Sequence, residues 1–145
     1  MKSSLLQSNV DFSERDLSHL VVGPMEASAL TFMAAAIHYG NVKAGWWTNI
    51  LTKEPLDRNA GELMMLMVSE IAEGMEGDRK DKQDDHLPQY KMVDVEMADA
   101  FIRIMDFCGA RACPIGEIVL AKLHYNANRA DHKQENRLKA DGKKY

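Results

Sequence analysis

The chain has 145 residues, with 18 Lys and Arg against 22 Asp and Glu, a net charge of -4, and 46% hydrophobic against 28% charged residues. That length suits one domain able to bury a core, and the acidic balance argues against a nucleic-acid binder, which is as a rule basic. No segment approaches the roughly 20 apolar residues of a membrane-spanning helix. Met1–Val10 also lacks the apolar run of a secretory signal. No membrane partner, no stable nucleic-acid partner and a cytoplasmic location are expected.

In chain order, residues 1–22 are weakly patterned and read as an extension. Gly23-Pro24 marks a helix start, because proline in the first turn lacks only an N–H that the helix does not use. An Ala- and Met-rich helix follows over Glu26–Lys43 and stops near Gly45. Residues 45–59, with Trp46, Trp47 and Pro55, read as a loop. A second helix is predicted over Ala60–Glu76, ended by Gly77. The polar stretch 78–91 (DRKDKQDDHLPQYK) is a solvated loop. A third helix spans Met92–Phe107, closed by Gly109, and a fourth follows Pro114 over Ile115–Arg129. The tail from Ala130 is polar and basic. With no persistent strand-like alternation and no repeat, the expectation is an all-α bundle of about four helices.

Cys108 and Cys113 flank the third helix's end. Two thiols do not complete a four-ligand zinc site, and a structural disulfide is unusual in a reducing compartment. Both read as buried or half-buried thiols.

The second and third helices carry matching acidic stripes. At about 100° per residue, Glu70 and Glu73 share a face, with Glu62, Ser69 and Glu76 on or near it, and most other positions apolar. On the third helix Glu96, Asp99, Arg103 and Asp106 form the stripe. If the two helices pack antiparallel, Glu70, Glu73, Glu96 and Asp99 converge. Four adjacent carboxylates raise one another's pKa, a conflict that a divalent cation removes. All-oxygen ligation suits Mg²⁺ or Mn²⁺. Solvent alone also selects acidic faces on amphipathic helices, so spacing by itself leaves both readings open.

From Lys122 the chain runs KLHYNANRADHKQENRLKADGKKY, and Lys122, Asn126 and Arg129 recur at helical spacing. Two cations and an amide on one face suit phosphate oxygens. The other reading is a solvated helix end, where the dipole favours basic residues.

These segments together resemble the MazG-like nucleotide pyrophosphohydrolases of the all-α NTP pyrophosphatase superfamily. The resemblance runs from about residue 27 to 145 and leaves residues 1–26 as an N-terminal extension. It rests on GWW at 45–47, SEIAEGMEGDRK at 69–80, VEMADAFIRIMD at 95–106, and the tail with its GKKY, in that order. It implies that Glu70, Glu73, Glu96 and Asp99 bind magnesium, with Mn²⁺ as a possible substitute, and make up the catalytic set. It further implies that Lys122, Tyr125, Asn126 and Arg129, with Lys143 or Lys144, hold phosphates. His38, Asn41, Trp46 and Trp47 become candidates for the base pocket. Against that last transfer, a tryptophan pair after a helix is commonly core packing.

The activity implied is hydrolysis of a nucleoside triphosphate to monophosphate and pyrophosphate, by water attack at the α-phosphorus. No Walker loop is present, and no covalent nucleophile is indicated. Helices apolar around most of their circumference, with ten methionines, predict a homodimer or homotetramer, and the resemblance points the same way. The alternatives are a narrower enzyme acting on dUTP, dCTP or phosphoribosyl-ATP, and a non-catalytic helical interaction protein.

Overall fold

The computed structural model describes residues 22–130 and 133–139. Four long helices occur among them: α1 (Pro24–Lys43), α2 (Ala60–Arg79), α3 (Met92–Ala110) and α4 (Ile115–Asn128). A short helical turn, α5 (Gln134–Arg137), lies in the tail that composition alone gave no reason to call helical. Strand-like pairing among the described residues is confined to two isolated bridges, Thr48 with Pro55 and Gln83 with Lys91, each closing a loop. The all-helical expectation therefore holds. Among the described residues no helix is long and apolar enough to cross a membrane.

Local chemistry explains the helix starts. Pro24 occupies the first turn of α1, and Gly23 N–H donates to Glu26 Oε2 at 2.9 Å. Asn59 caps α2, its Oδ1 accepting from Gly61 N at 2.8 Å and Glu62 N at 3.2 Å, which satisfies two amides that have no partner within the helix. The first turn of α4 is capped from another helix, since Gly116 N–H donates to Thr31 Oγ1 of α1 at 3.0 Å. At the end of α1, Gly45 adopts a positive φ of 88° and lets the chain leave the helix.

Two glycines expected to stop helices do something else. Helix α2 continues through Gly77 to Arg79, and α3 through Gly109 to Ala110. A side chain on Gly77 would stand 2.8 Å from Met92 Cβ of α3, and one on Gly74 would stand 2.8 Å from the Met97 methyl group. One on Gly109 would reach the Ala34 carbonyl and His38 Cβ of α1. These glycines are close-approach points, where the missing Cβ lets two helices meet. The order of Gly74 and Gly77 along Met97 and Met92 shows α2 antiparallel to α3, and Gly109 at Ala34 with Asp106 at His38 shows α1 antiparallel to α3. Helix α3 is thus central, with α2 and α1 packed against it and α4 against α1.

The core is small. Ala34, Met105 and Cys108 form its centre, with Leu30, Ile37, Phe107, Cys113 and Ile115 around them. Cys108 is buried and Cys113 half-buried, both as free thiols; burial pushes the Cys108 thiol up. The 78–91 loop is less solvated than its composition suggests. Asp84 is buried, and its Oδ1 accepts from His86 N at 2.9 Å and Leu87 N at 2.6 Å.

At Gly116 a side chain would overlap the backbone of Ala27. Gly116→Ala is expected to cost about 1–3 kcal/mol, the usual range for overpacking a tight contact, read as a lower urea midpoint with unchanged slope.

Candidate functional site

The antiparallel meeting of α2 and α3 brings the two acidic stripes to one place. Glu70 from α2, with Glu96 and Asp99 from α3, each present a carboxylate oxygen, and these atoms lie within 4.8 Å of one another. Glu70 and Glu96 are buried and Asp99 is exposed, so the group opens to solvent on one side. Glu73, one turn along α2 and exposed, stands outside this triple, but its negative charge acts on Glu96.

Glu96 records the crowding. Its carboxyl is pushed up from 4.5 to about 7, first by burial, then by a hydrogen bond shared with Glu70, then by the charges of Glu73, Glu70 and Asp99. Like charges in a dehydrated setting are relieved by a proton or by a cation. The donor set is three carboxylates with no thiolate or imidazole among them, which suits a hard cation better than zinc.

Beside this triple lies a cavity of about 440 Å³, within the size range of small-ligand sites, lined by Asn41, Trp46, Arg58, Leu63, Leu66, Glu70, Asp99, Ile102, Arg103 and Asp106. Its lining thus combines three carboxylates, two guanidinium groups, an indole and an amide with apolar side chains. Trp46 is 67% exposed and presents ring surface.

His38 and Trp47 are engaged differently. Both bond to the buried carboxylate of Asp106: His38 Nδ1 at 2.8 Å from Oδ1, and Trp47 Nε1 at 3.1 Å from each oxygen. An ionised carboxylate only accepts, so His38 carries its proton on Nδ1. The two rings meet edge-on, with centroids 4.9 Å apart. Asp106 thereby fastens the loop after α1 to α3 at Trp47, the neighbour of Trp46.

The basic set is partly gathered. On α4 the Lys122 ammonium lies 4.8 Å and the Arg129 guanidinium 5.5 Å from the Tyr125 ring centroid, so two cations surround one exposed ring. The Asn126 side-chain oxygen is shielded from solvent and has no hydrogen-bond partner among the described residues. None of these four lines the cavity described above. Lys143 and Lys144 lie outside the described residues, as do residues 1–21 of the N-terminal extension.

Two cavity cations were not assigned from the sequence. Arg103 Nε donates to Glu70 Oε1 at 2.5 Å across the α2–α3 contact. Arg58 donates to the Trp46 carbonyl at 3.4 Å, with its guanidinium 5.6 Å from the Trp47 ring centroid. Arg103 stood visibly on the acidic stripe. Arg58 lies in a loop and carried no periodic signal.

The proton on Glu96 has a consequence for stability. The folded chain holds it up to about pH 7, whereas an ordinary glutamate releases it near 4.5. The folded state thus binds more protons between those values, and stability falls as pH rises through them. In a metal chelator, the thermal midpoint is expected to drop across this window, and Glu96→Gln to flatten the slope. An equal slope in the variant would remove Glu96 as its source.

No protein-family model, no curated protein and no solved structure matches this chain.

Proposed function

We propose that this chain is a magnesium-dependent nucleoside triphosphate pyrophosphohydrolase of the MazG-like kind. The observation that carries the reading is the convergence of Glu70, Glu96 and Asp99 from two helices beside a cavity that also offers Trp46 and Asn41. A polyphosphate needs positive charge and a base needs a flat apolar surface with a polar partner; Arg58 and Arg103, with a cation at the carboxylates, would meet the first need, and Trp46 and Asn41 the second.

Glu70, Glu96 and Asp99, joined by Glu73, would hold Mg²⁺, with Mn²⁺ as a substitute, and the cation would supply positive charge against the phosphate oxygens. One of the carboxylates takes the proton of the water that attacks the α-phosphorus, and pyrophosphate departs, leaving the nucleoside monophosphate. Trp46 and Asn41 contact the base, while His38 and Trp47 shape the pocket through Asp106. The part given to Lys122, Tyr125, Asn126 and Arg129, with Lys143 or Lys144, as phosphate contacts rests on the resemblance alone, since the first four do not line this cavity. A narrower preference for dUTP, dCTP or phosphoribosyl-ATP belongs to the same chemistry.

Glu70→Gln and Asp99→Asn are each expected to reduce magnesium-dependent pyrophosphate release by at least 100-fold, an order of magnitude common for groups that position reacting charge, while circular dichroism stays helical. Near-normal turnover of either variant over a nucleotide panel would refute the ligand assignment. Failure of the unmodified chain to bind Mg²⁺ or Mn²⁺ would instead favour a helical interaction protein.

The proposal includes a homo-oligomer, a dimer or a dimer-based tetramer. Met64, Val68, Ile71 and Met75 recur at spacings of four, three and four on α2, and Met97, Phe101 and Ile104 follow the same rhythm on α3; all seven are exposed. Burying such a side chain contributes roughly 1.5–3 kcal/mol, so a few of them rival the 5–15 kcal/mol typical of a domain's whole stability. An alternation of three and four is the period by which helices pair along a seam. Light scattering at micromolar concentration is expected to show twice or four times the chain mass, and a monomer would contradict this part of the reading.

A further inference from the structure

Arg103 is the basic member of an otherwise acidic stripe, one turn from Asp99 and one turn from Asp106. Its Nε–H donates to Glu70 across the helix contact, and Glu70's side chain is 10% exposed. A carboxylate so far out of water is stable only with partners, and Arg103 is the cationic one, beside the Glu96 carboxyl that shares a hydrogen bond with it. A guanidinium has five N–H donors, and Glu70 takes up one of them. The arginine side chain is 41% exposed and borders the cavity, so its head has room to turn. Arg58, by contrast, is held at the Trp46 carbonyl and over the Trp47 ring.

We infer that Arg103 is a displaceable counter-ion. It neutralises Glu70 in the metal-free chain, leaves it when a divalent cation takes Glu70, Glu96 and Asp99, and then donates to a phosphate oxygen in the cavity. The inference rests on the pyrophosphohydrolase reading and adds a coupling to it. A guanidinium and a divalent cation compete for one carboxylate and repel each other at close range. Once off Glu70, the planar fork suits two oxygens of one phosphate. Metal loading thereby switches on a phosphate contact, and a bound phosphate chain favours the loaded state by the same factor.

The test uses the full chain and two probes, Mn²⁺ alone, followed by electron paramagnetic resonance of the free ion, and inorganic tripolyphosphate at saturating Mg²⁺. In Arg103→Gln, Mn²⁺ is expected to bind about fivefold more tightly or better, and tripolyphosphate about fivefold more weakly or worse, the lower end of coupling between linked sites. Arg103→Lys keeps a charge for Glu70 but loses the fork, so its Mn²⁺ affinity stays near that of the unmodified chain while tripolyphosphate binding weakens. A merely structural arginine predicts weaker Mn²⁺ binding in Arg103→Gln. That result, or unchanged affinity for either probe in both variants, overturns the inference and leaves the metal site standing. Absence of Mn²⁺ binding by the unmodified chain removes the enzymatic reading and this inference with it.

Discussion

The arrangement depends on how closely α2 and α3 approach. Gly74 and Gly77 sit where a Cβ would collide with Met97 and Met92, so the two backbones meet with almost nothing between them. That contact sets the antiparallel register, and the register puts Glu70 against the turn of α3 that carries Glu96 and Asp99. A wider separation would spread the carboxylates beyond the reach of a shared cation. The glycines lie one and two turns from Glu70, so packing and chemistry share one stretch of helix.

Bringing carboxylates together has an electrostatic cost, and the molecule meets it in three ways. Glu96 holds its proton up to about pH 7. Glu70 is paired with Arg103. Asp106 escapes the problem by accepting from Trp47 and His38, neither of which adds a fixed negative charge. The first two compensations are the ones that a bound cation would make unnecessary. Asp106, already satisfied, works as an anchor instead. On the proposed reading, that division separates a ligand-binding part of the stripe from a structural part within a single helix.

Much of the apolar surface remains outside this compact arrangement. The residues most thoroughly buried are small or central, such as Ala27, Ala34, Ala100, Met105 and Cys108, while most large apolar side chains of α2 stay exposed. A bundle this thin, with α3 covered by α2 on one side and α1 on another, has too little interior to hold them. The proposed assembly would cover that surface, and its two stripes lie on the same helices that supply the acidic cluster. Assembly and site formation would then stiffen one another through α2 and α3.

The number and approximate extent of the long helices were legible along the chain from local signals, such as Pro24 in the first turn of α1 and the apolar repeats of α2 and α3. The pairing of acidic stripes was legible as a possibility, since i, i+3 spacing alone puts Glu70 with Glu73 and Glu96 with Asp99 on shared faces. What those faces meet is a non-local matter. Only the packed structure separated Glu73 from the close triple, turned Gly77 and Gly109 from helix stops into contact points, bound His38 and Trp47 to Asp106, and set Arg103 against Glu70. The physical reason is that propensity and periodicity are summed over neighbours in sequence, whereas a charge pair or a missing Cβ acquires its meaning from residues far away in the chain, brought near by the crossing of helices.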